Sequence, residues 1–226
     1  MRKICRILKE KDIGDMGIGA MIVFIAMVLV AGIAASVLIQ TANKLEIQAM
    51  VTGQETTREV STGLQIVDIE GLNSGGKIVN LTLTIKARAG SGDIDLGQTI
   101  IEITDGGNKT LLTYVPAARQ FNKTSDALET GNIFADGFWN ESNEQFGIYV
   151  LQDDDTSLSS NNAVLNRGDL VMLCIGSGRC FTKGGAIWGL DPRDDVWGLV
   201  SPEEGSPAIF SFRVPSSLTT PVYDLY

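Results

Sequence analysis

The chain contains no histidine. That absence removes Ser-His-Asp and Cys-His nucleophilic catalysis and His-ligated zinc together. Cysteine is nearly absent as well. Cys5 lies in a basic N-terminal stretch, and Cys174 and Cys180 stand six residues apart. A C-x₅-C pair with no histidine is a poor metal site, which leaves a local disulfide or two free thiols. No glycine-rich phosphate loop, catalytic carboxylate pair or basic patch is found, so no enzyme class is indicated. Basic residues number 18 against 27 acidic ones, a net charge of −9. A polyanion such as nucleic acid is excluded as a natural partner of that surface.

What the chain has in abundance is unevenly placed. Met16 to Asn43 is a run of 28 residues without a single charge. Residues 1–14 carry five basic side chains (Arg2, Lys3, Arg6, Lys9, Lys11) and two acidic ones (Glu10, Asp12). The remainder then holds 13 basic and 25 acidic residues, a net of −12. A secretory signal places its apolar region before the cleavage site. Here a cut after Gly14 would leave the apolar run on the mature chain, the order that prepilin-type processing requires. A plain membrane anchor, held by positive charges on the inside, has the same charge and hydropathy profile. The run makes about 42 Å of helix at 1.5 Å per residue, against roughly 30 Å of bilayer core. It is rich in small residues, among them Gly17, Gly19, Ala26, Gly32 and Ala35. Small residues let helix backbones approach closely, which an isolated anchor does not need.

Residues 17–39, GIGAMIVFIAMVLVAGIAASVLI, closely resemble the N-terminal helix of archaeal flagellins, the archaellins. In that family a prepilin-like (class III) leader is cut after a glycine with charged residues upstream. Gly14 matches the cut, Asp15 becomes the first mature residue, Lys11 and Asp12 match the charged flank, and Gly17 matches a glycine favoured at the third mature position. Ile13 departs from the pattern. Bacterial type IV pilins usually carry glutamate as the fifth mature residue, where this chain has Gly19. The resemblance extends more weakly to Ile94-Asp95-Leu96, to 166–171 and to the C-terminal 214–226.

Past the uncharged run, Lys44, Glu46, Gln48, Glu55 and Arg58 alternate with apolar residues, which predicts an amphipathic continuation of the helix to about Gly63. The period then changes to two. Strands are predicted at 64–69, 79–87, 100–104, 110–115, 146–151, 170–175, 208–214 and 222–225, with turn clusters such as Asn73-Ser74-Gly75-Gly76. The expected fold is α+β: a long hydrophobic helix followed by an antiparallel β-sandwich or barrel head, a type IV pilin-like architecture. The domains expected are a cleaved leader at 1–14, a filament-core helix at 15–63 and a β-rich outer domain at 64–226.

Several motifs have both a functional and a structural reading. Four N-x-[ST] sequons begin at Asn80, Asn108, Asn122 and Asn140, and all lie in the head, which suits a glycoprotein. Asn80 sits in a predicted strand, so its direction decides whether it can carry a glycan. Asp153, Asp154 and Asp155, with Asp191, Asp194 and Asp195 elsewhere, could hold a hard cation such as Ca²⁺, but no EF-hand spacing is present and a solvated acidic loop is the simpler reading. Arg167-Gly168-Asp169 spells an adhesive tripeptide but sits where a turn before a strand is expected. Trp139, Trp188 and Trp197 suit a core or a subunit interface.

The resemblance implies a structural subunit of an archaellum filament, not an enzyme, with no cofactor required. It implies a helical homopolymer that can include other archaellins and that serves swimming. Further partners would be a prepilin-type peptidase, the archaellum motor and its membrane platform. The precursor would wait in the cytoplasmic membrane and the mature chain would lie outside the cell, where the cysteine pair is expected to form a disulfide. An adhesive pilin subunit and a membrane-anchored β-domain are the alternatives.

Overall fold

The computed structural model describes residues 2–116, 121–123, 133–134, 144–181 and 189–226, with side chains described from Met16 onward. The chain divides into two compact units, Met1–Glu55 and Thr56–Tyr226.

Helix α1 runs without a break from Arg2–Ser61. Its apolar residues circle the whole helix, so no stripe is set aside for a core of the same chain. It ends two residues before Gly63, where the chain is fastened within the second unit. Thr62 N–H donates to Arg58 O at 2.8 Å, Ser206 N–H donates to Thr62 O at 2.9 Å, and Ser91 Oγ–H donates to Gly63 O at 3.0 Å. Arg58 also pairs with Glu204 at 2.8 Å, a contact open to solvent on both sides.

Strands β1 (Leu64–Ser74), β2 (Lys77–Ala87), β3 (Ile94–Asp95), β4 (Ile100–Thr104), β5 (Lys109–Thr113), β6 (Phe121–Lys123), β7 (Gly147–Gln152), β8 (Leu158–Ser159), β9 (Asn162–Leu165), β10 (Leu170–Ile175), β11 (Asp195–Ser201), β12 (Ala208–Arg213) and β13 (Val222–Asp224) build the head. A short helix α2 (Ser177–Cys180) follows β10. The main sheet runs β13-β1-β2-β10-β7-β6 and the second β12-β11-β4-β5. A small third sheet, β3-β9-β8, contributes Ile94, Leu158, Ala163 and Leu165 to the buried core. Leu81, Leu83, Ile85, Val171 and Leu173 from the main sheet and Ile101, Ile103, Val196, Val200 and Phe210 from the second join one buried cluster. Two open sheets sharing a core make a sandwich and not a closed barrel. The antiparallel expectation needs one amendment, because β6 pairs with β7 in parallel.

Strand β2 departs from its sequence pattern. Its alternation of apolar residues with Thr82 and Thr84 predicts one wet face. Both threonines are buried, and they lie in register with Cys174 and Met172 of β10. Side chains on both faces of this strand are therefore withdrawn from solvent at Thr82 and Thr84.

On β1, Glu70 lies in register with Asp224 of β13. Burial, reinforced by the charges of Asp68 and Asp224, raises its pKa above the ordinary carboxylate value. A carboxyl whose folded pKa is raised binds protons that the unfolded chain has already released, so head stability falls as pH rises through that window. Glu70→Gln is therefore expected to stabilise the head at pH 7. The gain should be only about 0.3–0.5 kcal/mol, because the half-buried site is screened by solvent. Thermal melts of the detergent-dispersed subunit would show the advantage at pH 7 and none at pH 4.

Candidate functional site

The described side chains from Met16 to Val60 are all exposed. The stretch Met16–Ser61 is long and apolar enough to cross a membrane. Gly17, Gly19 and Gly32 are the most informative positions in it. Apart from the adjoining backbone of the helix itself, a Cβ added at any of them would meet no described atom within 4 Å. Glycine inside a helix costs about 1 kcal/mol relative to alanine, and none of the described residues packs against these positions to require it. At 3.6 residues per turn, Gly17 and Ala35 share one side of the helix, while Gly19 and Ala26 lie on the opposite one. Small residues on several sides suit simultaneous contact with several helices rather than pairing with one.

The acidic loop of the head is organised differently from its sequence pattern. Asp153, Asp155 and Asp169 each bring a carboxylate oxygen within 4.8 Å of the other two. Asp154 is not in the group, and neither are Asp191, Asp194 and Asp195. Asp194 accepts from the N–H of Asp191 at 2.9 Å, Asp191 pairs with Lys77 at 2.7 Å, and Asp195 pairs with Arg213 at 3.5 Å. The Arg167-Gly168-Asp169 turn thus delivers its aspartate inward. Asp169 is buried and accepts from Asn166 N–H at 3.0 Å and Asp154 N–H at 3.2 Å. Asp155 accepts from Ser157 N–H at 3.0 Å and from Asn166 Nδ2 at 2.6 Å, and the bonds from Ser157 lead in lowering its pKa. The Asp153 side chain is only 9% exposed; one oxygen receives Lys123 Nζ at 2.9 Å. Its Oδ1 is buried without a hydrogen-bond partner. Sequence reasoning missed Asp169 because the contact joins positions 14 and 16 residues apart.

The expected disulfide is not formed in this structure. Cys174 and Cys180 are separate thiols. Cys174 lies in register with Thr82, on the face of β10 opposite to Leu173 and Ile175. The chain then turns through α2, and Cys180 packs against the main core. Strand alternation therefore sends the two sulfurs to opposite sides. Burial pushes the Cys174 thiol well up and the Cys180 thiol up to about 12. Neither is poised as a thiolate.

The archaeal-type flagellin family model matches residues 14–212. The chain belongs to this family. Flagellin B2 of Methanocaldococcus jannaschii is 42% identical over 215 residues, 95% of this chain and 94% of that protein. Flagellin B1 of Methanococcus voltae is 37% identical over 94% of both chains. Among solved structures, the archaeal flagellin FlaB1 of Methanocaldococcus jannaschii superimposes with a TM-score of 0.62 at 29% identity, covering 73% of this chain and 96% of that one. A subunit of the archaeal flagellum of Methanospirillum hungatei shares the fold, with a TM-score of 0.59 at 16% identity over 92% of this chain and 98% of that one.

The sequons of this archaeal flagellin fall in distinct settings. Asn108 is exposed in the β4–β5 turn. Asn80 is half-buried, on the same side of β2 as Thr82 and away from the core residues Leu81 and Leu83. Asn122 is half-buried in β6, its Oδ1 accepting from the Lys123 N–H at 2.8 Å. Asn140 lies outside the described residues, as do Trp139 and Trp188. Trp197 is on the outward side of β11 and half exposed.

Proposed function

We propose that this archaeal flagellin is a structural subunit of the archaellum filament, polymerising through α1 while the sandwich head forms the outer wall. One observation carries the reading: a helix apolar on every side, at whose glycines 17, 19 and 32 no described residue beyond the adjoining helix backbone comes close. Burying such a surface drives association, and the glycines provide the clearance for packed neighbours. Before assembly the same helix rests in the membrane, with residues 1–14 on the cytoplasmic side. A prepilin-type peptidase cuts after Gly14, and the family match beginning at residue 14 supports that boundary. A motor and membrane platform of other proteins turn the filament for swimming, and other archaellins can share it.

N-terminal sequencing and intact mass of filaments sheared from cells test this. The expected mature chain begins at Asp15, and mass beyond Asp15–Tyr226 reports glycans on Asn80, Asn108, Asn122 or Asn140. Recovery of Met1 at the cell surface would leave a membrane-anchored domain instead.

The carboxylate trio also fits a structural Ca²⁺. Calcium takes six to eight oxygens from carboxylates and carbonyls, and Asp153 Oδ1 is a buried acceptor with no donor. Asp153, Asp155 and Asp169 would hold the ion, which would tie the β7–β8 segment to the turn before β10. Chelation is expected to lower the melting temperature of the head, by about 2–3 kcal/mol of stability where Ca²⁺ had been at a hundred times its Kd. Asp169→Asn should abolish the calcium dependence and Asp154→Asn should leave it intact. Melts insensitive to chelation would refute the site.

A further inference from the structure

The second sheet turns one face to the core and the other outward, and the outward face carries a cluster of exposed large apolar side chains. Its strands lie in the order β12-β11-β4-β5. Registration sets Ile209, Leu199, Glu102 and Leu111 in one row across all four strands. Trp197 stands beside that row on β11, and Ile100 on β4. Ile209 is 77% exposed, Leu111 55%, Trp197 51% and Ile100 44%. A row of large apolar side chains left open on a regular sheet marks an interaction site.

The charges on this face identify the occupant. From 64 to 226 the chain has 11 basic and 21 acidic residues, a net of −10. Copies of such a head repel one another across about a Debye length, roughly 8–10 Å. The outward positions of these four strands carry two anions and two cations, already paired within the face. Lys109 meets Glu102 at 2.5 Å and Arg213 meets Asp195 at 3.5 Å. The face is thus neutral as well as apolar, a patch against which an acidic copy can pack without like-charge repulsion. The tryptophan at its centre is the residue type that anchors interfaces.

We infer that the outward face of β12-β11-β4-β5 is buried against the head of a neighbouring copy of this chain, as a lateral or longitudinal contact of the filament wall. In a helical array that contact is head-to-tail: this face meets a different surface of the next copy. The inference rests on assembly into a filament.

Hydroxyl-radical footprinting of wild-type filaments, compared with the same subunits dispersed in detergent, tests it without altering the chain. Oxidation of Trp197 and Ile209 is expected to fall at least about fivefold on assembly, as burial at an interface core requires. Equal oxidation in both states would overturn the contact while leaving the filament reading intact; a wild-type chain that forms no filament would overturn assembly itself. Trp197→Glu and Ile209→Glu, at exposed positions of the folded head, provide the second arm. Processed subunit with an unchanged melting temperature but few or short filaments is the expected result. Normal filaments from both variants would overturn the contact.

Discussion

Ala26→Leu and Gly32→Leu are expected to abolish filaments while leaving processed subunit in the membrane. Both changes make the helix more hydrophobic, so a helix that served only as an anchor would hold equally well or better. Within the chain there is room for either side chain. Beyond the adjoining helix backbone, the position of Gly32 has no described atom within 4 Å of an added Cβ, and the nearby Val30 and Ile33 are exposed. Only neighbouring copies can object. Overpacking a close-packed contact costs about 1–3 kcal/mol per site, and a helical polymer repeats the site in every subunit. Negative-stain microscopy and membrane immunoblots of strains carrying each change provide the readout. Normal filaments from both would remove the steric case for this helix as filament core.

Gly198→Ala is expected to unfold the head or to cost it more than about 3 kcal/mol, the range of severe core strain. Gly198 sits in the middle of β11, between Ile103 of β4 and Phe210 of β12. An added Cβ would lie 2.2 Å from Glu102 O and 2.6 Å from the Phe210 ring. The ring belongs to the core and the carbonyl to the ladder, so neither can retreat. Gly92→Ala is the control: its Cβ would meet nothing within 4 Å, and a change within about 0.5 kcal/mol is expected there. Denaturant melts of detergent-dispersed subunits would separate the two. A Gly198→Ala head as stable as the wild type would mean that β11 does not pack as described.

The same glycine explains why β11 was illegible in the sequence. The segment Asp195-Val-Trp-Gly-Leu-Val-Ser201 has acidic neighbours on one side, Pro202 on the other and glycine at its centre, features that mark turns and strand ends. It is nonetheless a central strand of the second sheet. The glycine is there because an aromatic ring from the next strand crosses its position. Strands β3, β8 and β9 were missed for another reason: two to four residues are too few to display a period.

Local order was legible wherever a pattern repeats along the chain. The uncharged run from Met16 to Asn43 and the charge step at Lys44 determined a long helix that no core of its own chain could cover. The alternation at 79–87 and 170–175 determined strands, and the 17–39 stretch pointed to the family before any fold was known. Tertiary structure alone decided which side chains meet. Asp169 joins Asp153 and Asp155 because the turn before β10 folds back onto the end of β7. Cys174 and Cys180, six apart in sequence, are parted because β10 turns Cys174 away from the core cluster while the helix that follows brings Cys180 back onto it. Whether Trp197 faced the core or outward was set by the pairing of β11 between β4 and β12. A one-residue shift of that register would have turned the tryptophan inward, because side chains in a strand repeat every two residues.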